Sequence, residues 1–142
     1  MKRIVVGVDS SDDSVRALRW AIDEARLRGA ELEIVHAFPT PELVAIPAVV
    51  TLPSDDELRK GAEEVIDGAL SRVGGADDVP VTRTMRAGSS ASVLCDVAVG
   101  ADLLVVGARG LGGFRGLLLG SVTHQVVAHS PCPVVVSVPE DR

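Results

Sequence analysis

The sequence has 142 residues, of which 46% are hydrophobic, and it is long and apolar enough to build one globular core. A formal net charge of −6 and an aromatic content of 2% argue against a broad nucleic-acid-binding surface, although one nucleotide could occupy a local cationic pocket. No apolar run approaches the roughly 20 residues of a transmembrane helix, and no signal peptide precedes the first strand pattern. We therefore expect one domain over residues 1–142, in the cytoplasm, with neither a membrane nor nucleic acid as a partner.

The chain opens with a continuously apolar run, residues 4–8, which is typical of a strand buried on both faces of a parallel sheet. The helix that follows is predicted to begin with Ser10 and Asp13, whose spacing resembles a capping box, and to end at Gly29. Residues 32–37 then predict a second strand, because their apolar residues are again bounded by turn residues.

The least regular stretch is residues 39–53, which contain four prolines and are otherwise largely apolar. A long loop of this kind could cover a site, pack on a partner or be disordered. Ser54 and Glu57 form a capping box at the start of a second helix, which ends at residues 74–75. Residues 79–85 alternate and contain a proline and an arginine, so they predict a strand at the edge of the sheet.

The last part of the chain continues the alternation of strands and helices. A third helix is capped by Ser89 or Ser90, and residues 102–107 predict a fourth strand. Residues 121–129 predict a fourth helix, and a fifth strand follows it. Five strands and four helices in this order predict an α/β fold, a three-layer sandwich of one parallel sheet with helices on both faces.

A glycine-rich loop, residues 107–122, joins the fourth strand to the fourth helix. It carries Arg109 and Arg115 but no acid, and Gly120 and Ser121 end it at the start of a helix. The first backbone N–H groups of a helix have no partner within it, so a flexible cationic loop in this place predicts a phosphate cradle. The alternative is a solvent-exposed loop with an ordinary helix cap. The loop matches neither a P-loop nor a Rossmann motif.

The spacing G-x2-G-x9-G-S, from Gly107 to Ser121, resembles the nucleotide-binding motif of the universal stress protein family. The beginning of the chain, residues 4–11, and its end, residues 130–138, are also similar to that family. The resemblance implies the strand order 3-2-1-4-5, in which the winding reverses between strands 1 and 4 and a ligand crevice lies at their carboxyl ends. It further implies that ATP, alone or with Mg2+, is the ligand.

Five of the candidate binding residues are polar groups or glycines of the motif. Asp9 ends strand 1 and would accept hydrogen bonds from the base or ribose, or help to hold a metal; its alternative role is to cap the first helix. Gly107 and Gly110 would let the backbone approach ribose and phosphate, and Gly120 and Ser121 would donate N–H groups and a hydroxyl to the phosphates. Their alternative roles are tight packing and simple capping.

The other candidates are weaker. Val122 continues the motif and would offer its N–H, whereas Arg109 would pair with a phosphate or remain an ordinary surface arginine. Ala37 corresponds to a family residue whose backbone meets the adenine ring. The remaining candidates border the crevice and could equally be core: Gly7, Val8 and Val106. The histidines and cysteines have no metal-ligand spacing, so no resident metal site is predicted.

Three functions remain open at this stage. The resemblance favours a regulatory protein that binds an adenine nucleotide and has no strong catalysis, because no nucleophile–histidine–acid set is visible. The alternatives are an interaction module that has lost nucleotide binding and a nucleotide α-hydrolase, whose glycine and histidine motifs are missing from residues 8–14. The apolar fifth strand, residues 134–138, predicts a homodimer in which two such strands pair, as the resemblance also implies.

Overall fold

The computed structural model describes residues 1–40, 53–110 and 119–140. Two of the sequence features lie partly outside these residues: most of the proline-rich stretch, over residues 41–52, and the middle of the glycine-rich loop, over residues 111–118, which includes Arg115. The described residues contain five strands and four helices in strict alternation from β1 to β5: β1 (Arg3–Gly7), α1 (Asp12–Arg28), β2 (Glu31–Phe38), α2 (Asp55–Arg72), β3 (Val81–Ala87), α3 (Ser90–Val97), β4 (Leu103–Gly107), α4 (Ser121–His129) and β5 (Val134–Ser137).

The strands form one sheet in the order β3-β2-β1-β4-β5, and every neighbouring pair is parallel. Val6 is aligned with Ile34 of β2 on one side and with Val105 of β4 on the other. The α/β fold and the order 3-2-1-4-5 are therefore confirmed, and so is the edge position of β3. β3 begins at Val81, two residues later than the start that its alternating pattern suggested.

Two hydrophobic clusters, one on each face of the sheet, make the protein a three-layer structure. Side chains alternate along a strand, so Ile4 and Val6 pack in the cluster under α1 and α2, and Val5 packs in the cluster under α3 and α4. All three are completely buried. This burial explains why β1 is apolar at successive positions: both of its faces are covered by helices.

The caps explain where the helices begin. Ser54 caps α2 as predicted, because its Oγ accepts the N–H of Glu57 at 3.1 Å. The cap of α1 is Ser11 and not Ser10: the Ser11 Oγ accepts the N–H of Ser14 at 3.2 Å. The reason is that the Asp9 carboxylate accepts the Ser11 N–H at 2.7 Å, a turn that leaves Ser10 exposed and delays the helix by one residue.

Candidate functional site

A cavity opens at the carboxyl ends of β1, β2 and β4, where the winding of the sheet reverses between β1 and β4. Its empty volume is about 540 Å³, which includes the part that is open to solvent. Nine of the eleven residues predicted from the sequence line it: Gly7, Val8, Asp9, Ala37, Val106, Gly107, Arg109, Gly110 and Val122. Gly120 and Ser121 adjoin it at the start of α4 but are not among its lining residues.

Three glycines line the cavity, and because none of them has a positive φ, the space around them and not their backbone conformation limits what can replace them. A Cβ on Gly107 would lie 2.8 Å from the backbone carbon and oxygen of Asp13, so α1 packs directly against the end of β4. A Cβ on Gly110 would lie 2.9 Å from the Asp9 Oδ2 atom, and one on Gly7 the same distance from Leu94. The missing side chains bring the backbone of β4 and of the loop close to Asp9 and α1.

Asp9 lies between the end of β1 and the start of α1. Its Oδ1 accepts the Ser11 N–H, and its backbone N–H and C=O both bond the hydroxyl of Ser14, at 3.0 and 2.9 Å. Its Oδ2 faces Gly110. One carboxylate oxygen therefore helps to start α1, while the other is directed to the glycine-rich loop. Asp9 is only half-buried, so a ligand in the cavity can reach it.

The glycine-rich loop has no acidic residue of its own, but Arg109 in this loop contacts Asp13 of α1. The backbone N–H of Arg109 donates to Asp13 Oδ2 at 3.0 Å, and the Nε of Arg109 lies 3.6 Å from the same oxygen. Asp13 also pairs with Arg16 at 3.0 Å, and only 8% of the residue is exposed. This contact was not predicted from the sequence because its partners are 96 positions apart; the one available signal was an acid in the first turn of a helix that follows a central strand.

The end of the loop is joined to β4 by two hydrogen bonds. The N–H of Gly120 donates to the carbonyl of Ala108 at 2.7 Å, so it is not available to a phosphate, contrary to the expectation from the sequence. The hydroxyl of Thr123 donates to the carbonyl of Gly107 at 2.7 Å. The first turn of α4 therefore offers the N–H groups of Ser121 and Val122, and both residues are exposed.

Several residues that line the cavity were not predicted from the sequence: Ser14, Val35, His36, Ser90, Leu94 and Thr123. Ser14 and Thr123 are almost completely buried, at 5% and 3% exposure, although each lies near a helix start, where a serine or threonine usually indicates a cap. A polar side chain on the buried face of an amphipathic helix was the signal that could have identified them. The Nδ1 of His36 lies 2.8 Å from the Val8 carbonyl, so His36 helps to hold the end of β1.

Two kinds of feature are missing from the described part of the chain. Within residues 1–40, 53–110 and 119–140, no group of three or more His, Cys, Asp or Glu residues is arranged to hold a metal ion. Over the same residues, no helix is both long and apolar enough to cross a membrane.

The topology and the cavity together define a doubly wound α/β protein with a crevice at its switch point, the place where folds of this type bind ligands. The sequence profile of the universal stress protein family matches residues 1–139, and the chain belongs to that family. A universal stress protein of Thermus aquaticus is 36% identical over 142 residues, which cover 95% of this chain and 97% of that protein. A relative from Mycobacterium tuberculosis is 37% identical over 134 residues, 94% of this chain but only 44% of the relative. The chain thus spans less than half the length of this mycobacterial relative.

Solved structures of the same family have the same fold. A universal stress protein in complex with cAMP is 29% identical, covers 95% of this chain and 94% of its own, and superimposes with a TM-score of 0.70. The universal stress protein from Archaeoglobus fulgidus in complex with dAMP is 26% identical, with coverage of 96% and 97% and a TM-score of 0.69.

Proposed function

We propose that this chain is a regulatory universal stress protein that binds an adenine nucleotide, ATP in the first place, in the crevice between β1 and β4. The observation that carries the proposal is the approach of Gly110 to Asp9, where a single added Cβ would come within 2.9 Å of the carboxylate. Because Gly110 has no side chain, a ligand at this place can contact both the Asp9 carboxylate and the backbone of Gly110. The cAMP and dAMP complexes of related proteins support an adenine nucleotide as that ligand.

The cavity offers different chemistry to each part of a nucleotide. Val8, Ala37 and Val106 give an apolar border for the base, and Asp9 gives acceptors for ribose or base donors. The phosphates would extend to the start of α4, where the N–H groups of Ser121 and Val122 and the helix dipole favour anions. Arg109 lines the same cavity and supplies a positive charge.

Mg2+ would enter with the nucleotide and not as a resident ion. Asp9 is the one acid among the described lining residues, and Mg2+ is commonly held by one or two carboxylates together with the phosphates of its substrate. Asp9 fits this pattern because its Oδ2 faces the loop side of the cavity. Bound Mg2+ would neutralise phosphate charge. We assign the chain no catalytic group, and we expect ATP hydrolysis to be slow at most.

We further propose a homodimer in which two β5 strands pair. β5 ends the described sheet, next to β4, and its four residues are only half-buried. Val138, directly after β5, is 47% exposed. An apolar strand edge favours pairing with another strand. Light scattering at tens of micromolar protein should give the dimer mass, and Val138→Lys should weaken it. Leu27→Lys, at an 80% exposed position of α1, is the matched control and should leave the dimer intact.

The nucleotide proposal is tested on the purified protein. Bound nucleotide is released by denaturation and identified by anion-exchange chromatography, and the nucleotide-free protein is titrated with ATP, AMP and cAMP with and without Mg2+. We expect adenine nucleotide in the supernatant or a rise in melting temperature, since a ligand that binds only the folded state stabilises it. Gly110→Ala should weaken ATP binding by about tenfold, because its methyl displaces Asp9.

Gly61→Ala is the matched control, because a Cβ on Gly61, in α2, would meet nothing within 4 Å. It should bind ATP as the wild type does. No co-purified nucleotide and no thermal shift at millimolar ligand would overturn the proposal and leave the interaction module of the same fold. A Gly110→Ala variant with wild-type affinity would show that nucleotide binds, but away from this crevice.

A further inference from the structure

We propose that Asp13 is a positioning residue which shares Arg109 with the phosphates of the bound nucleotide and thereby reduces the preference for a triphosphate over a monophosphate. This inference rests on the proposed nucleotide site. It assigns to that site a determinant of specificity that lies behind the cavity and not on its surface, because Asp13 is buried beneath the loop whereas Arg109 lines the cavity.

The contact is built from two parts with different consequences. The first is the hydrogen bond from the Arg109 backbone N–H to Asp13 Oδ2, at 3.0 Å, which fixes the chain between Gly107 and Gly110. The second is the ion pair from the Arg109 Nε to the same oxygen, at the longer distance of 3.6 Å. The backbone bond has good hydrogen-bond geometry, whereas the guanidinium is held mainly by charge. Asp13 therefore anchors the loop strongly and the side chain of Arg109 loosely.

Asp13 is held more firmly than Arg109, the residue for which it competes with a phosphate. Its other carboxylate oxygen, Oδ1, pairs with Arg16 at 3.0 Å, and its backbone lies against Gly107. These contacts hold the carboxylate in place from two sides. The Arg109 side chain is 24% exposed, more than the 11% of Asp13, so it is the partner of this pair that a ligand in the cavity can contact. A phosphate that approaches Arg109 thus meets a cation already partly neutralised by a fixed negative charge.

The effect of that charge depends on the ligand. An arginine binds phosphate through charge-assisted hydrogen bonds, and their strength increases with the negative charge of the phosphate group. ATP carries more negative charge than AMP and extends further toward the loop. The Asp13 carboxylate consequently opposes ATP more than AMP. Removal of its charge should strengthen ATP binding selectively, provided that the backbone bond to Arg109 is kept.

Asp13→Asn separates the two parts, because its amide oxygen can still accept the Arg109 N–H while the charge is lost. The matched control is Asp12→Asn, which removes the same charge from the same helical turn at a side chain that is 82% exposed and pairs with Arg72. The dissociation constants of ATP and AMP are measured by calorimetry for both variants and the wild type. We expect the ATP:AMP preference to rise by about fivefold in Asp13→Asn and to stay unchanged in Asp12→Asn.

Arg109→Gln provides a second measurement that does not require the Asp13 variant to fold. It removes the guanidinium that partly neutralises the Asp13 charge but keeps the backbone N–H bond, so the ATP:AMP preference should fall; the double variant should return toward the wild-type ratio. A merely structural role of Asp13 would weaken both ligands equally and leave the ratio constant.

The outcomes separate this inference from the function on which it rests. If the wild type binds neither nucleotide, the proposed function is wrong and the role of Asp13 falls with it. If the wild type binds both and the ratio is the same in Asp13→Asn and Asp12→Asn, only the inference is overturned. An unchanged ratio in Arg109→Gln, or a selective loss of ATP binding in Asp13→Asn, overturns it as well.

Discussion

The two ends of the central strands use the same kinds of residues for different purposes. At the amino end, the guanidinium of Arg3 pairs with Glu33 and donates to the carbonyls of Val97 and Val99, at 3.2 and 2.9 Å. At the carboxyl end, Arg109 lines an open cavity. One arginine closes the end of α3 onto the sheet, and the other borders a space that a ligand can enter.

The difference lies in what the surrounding backbone leaves open. At the amino end, the carboxylate of Asp102 accepts the N–H groups of both Lys2 and Arg3, so these backbone donors and this charge are bonded within the protein. At the carboxyl end, glycines remove side-chain volume beside Asp9 and Asp13. Substitutions at the amino end should therefore alter stability alone, whereas those at the carboxyl end should alter both stability and nucleotide binding.

The largest effect is expected from Gly107→Ala. Its methyl would lie 2.8 Å from the backbone of Asp13, which cannot move without displacing the first turn of α1. Overpacking of this kind costs about 3 kcal/mol of unfolding free energy. Urea unfolding followed by circular dichroism measures the loss, and nucleotide affinity should fall with it because Arg109 and Asp13 are displaced.

Gly7→Ala is the comparison, because its methyl would also come within 2.9 Å of another atom, but that atom belongs to the side chain of Leu94. A leucine side chain can change rotamer, so we expect a loss of only about 1 kcal/mol. Equal losses in the two variants would contradict the claim that the backbone of α1 is the obstacle at Gly107.

A smaller effect is expected from Thr123→Val, also at the carboxyl end. The substitution keeps the shape of a 3% exposed side chain but removes the hydroxyl that donates to the Gly107 carbonyl at 2.7 Å. The loss of a buried hydrogen bond should cost about 1.5 kcal/mol. Nucleotide affinity should also decrease, because this bond fixes α4 against β4. An unchanged nucleotide affinity together with a reduced unfolding free energy would contradict this, because Thr123 would then affect stability alone, as residues at the amino end do.

Arg3→Met tests the opposite end. The substitution keeps part of the apolar stem but leaves Glu33 and the carbonyls of Val97 and Val99 without the guanidinium. Because the Arg3 side chain is 24% exposed, water replaces part of the contact, and we expect a loss of about 1 kcal/mol. The affinity for ATP, measured in parallel, should equal that of the wild type. A clear loss of affinity would show that the two ends are coupled through β1.

The fold was predictable because its signals are local. The apolar runs of β1 and β4 indicated central strands, and the structure agrees, because residues such as Val5 and Val105 are completely buried. Ser54 marked the start of α2 because a serine three positions before a glutamate, Glu57, is typical of a helix cap. The strand order was implied by the family resemblance and not by a local signal, and the crevice followed from that order, because a parallel sheet whose winding reverses opens at the carboxyl ends of its central strands.

The details of the site were less predictable because they depend on distant contacts. Nothing in the loop sequence indicates that the N–H of Gly120 is used by Ala108, or that Arg109 lies against Asp13. The cap of α1 moved from Ser10 to Ser11 because Asp9 forms a turn of its own. In each case a backbone N–H, that of Gly120, Arg109 or Ser11, donates to an acceptor that the residue pattern does not specify.

The smallest effect, and the one that depends on pH, is expected from Asp102→Asn. Hydrogen bonds from the backbone N–H groups of Arg3 and Lys2 lower the pKa of the Asp102 carboxyl from its usual value. A lowered pKa in the folded state contributes stability that is present above the unfolded pKa, about 3.9, and is lost as the pH falls through the folded pKa. Wild type should therefore melt slightly above Asp102→Asn at pH 7, and the difference should shrink below about pH 4.

Thermal unfolding of both proteins across this range measures the difference, and ATP affinity at pH 7 provides the control. Both backbone N–H groups donate to the same oxygen, Oδ2, so the amide oxygen introduced by the substitution can still accept them and the difference in melting temperature isolates the charge. A difference that persists unchanged in acid would mean that Asp102 acts through geometry and not through its ionisation. A change in ATP affinity would contradict the separation of the two strand ends, because Asp102 contacts the start of β1, away from the cavity.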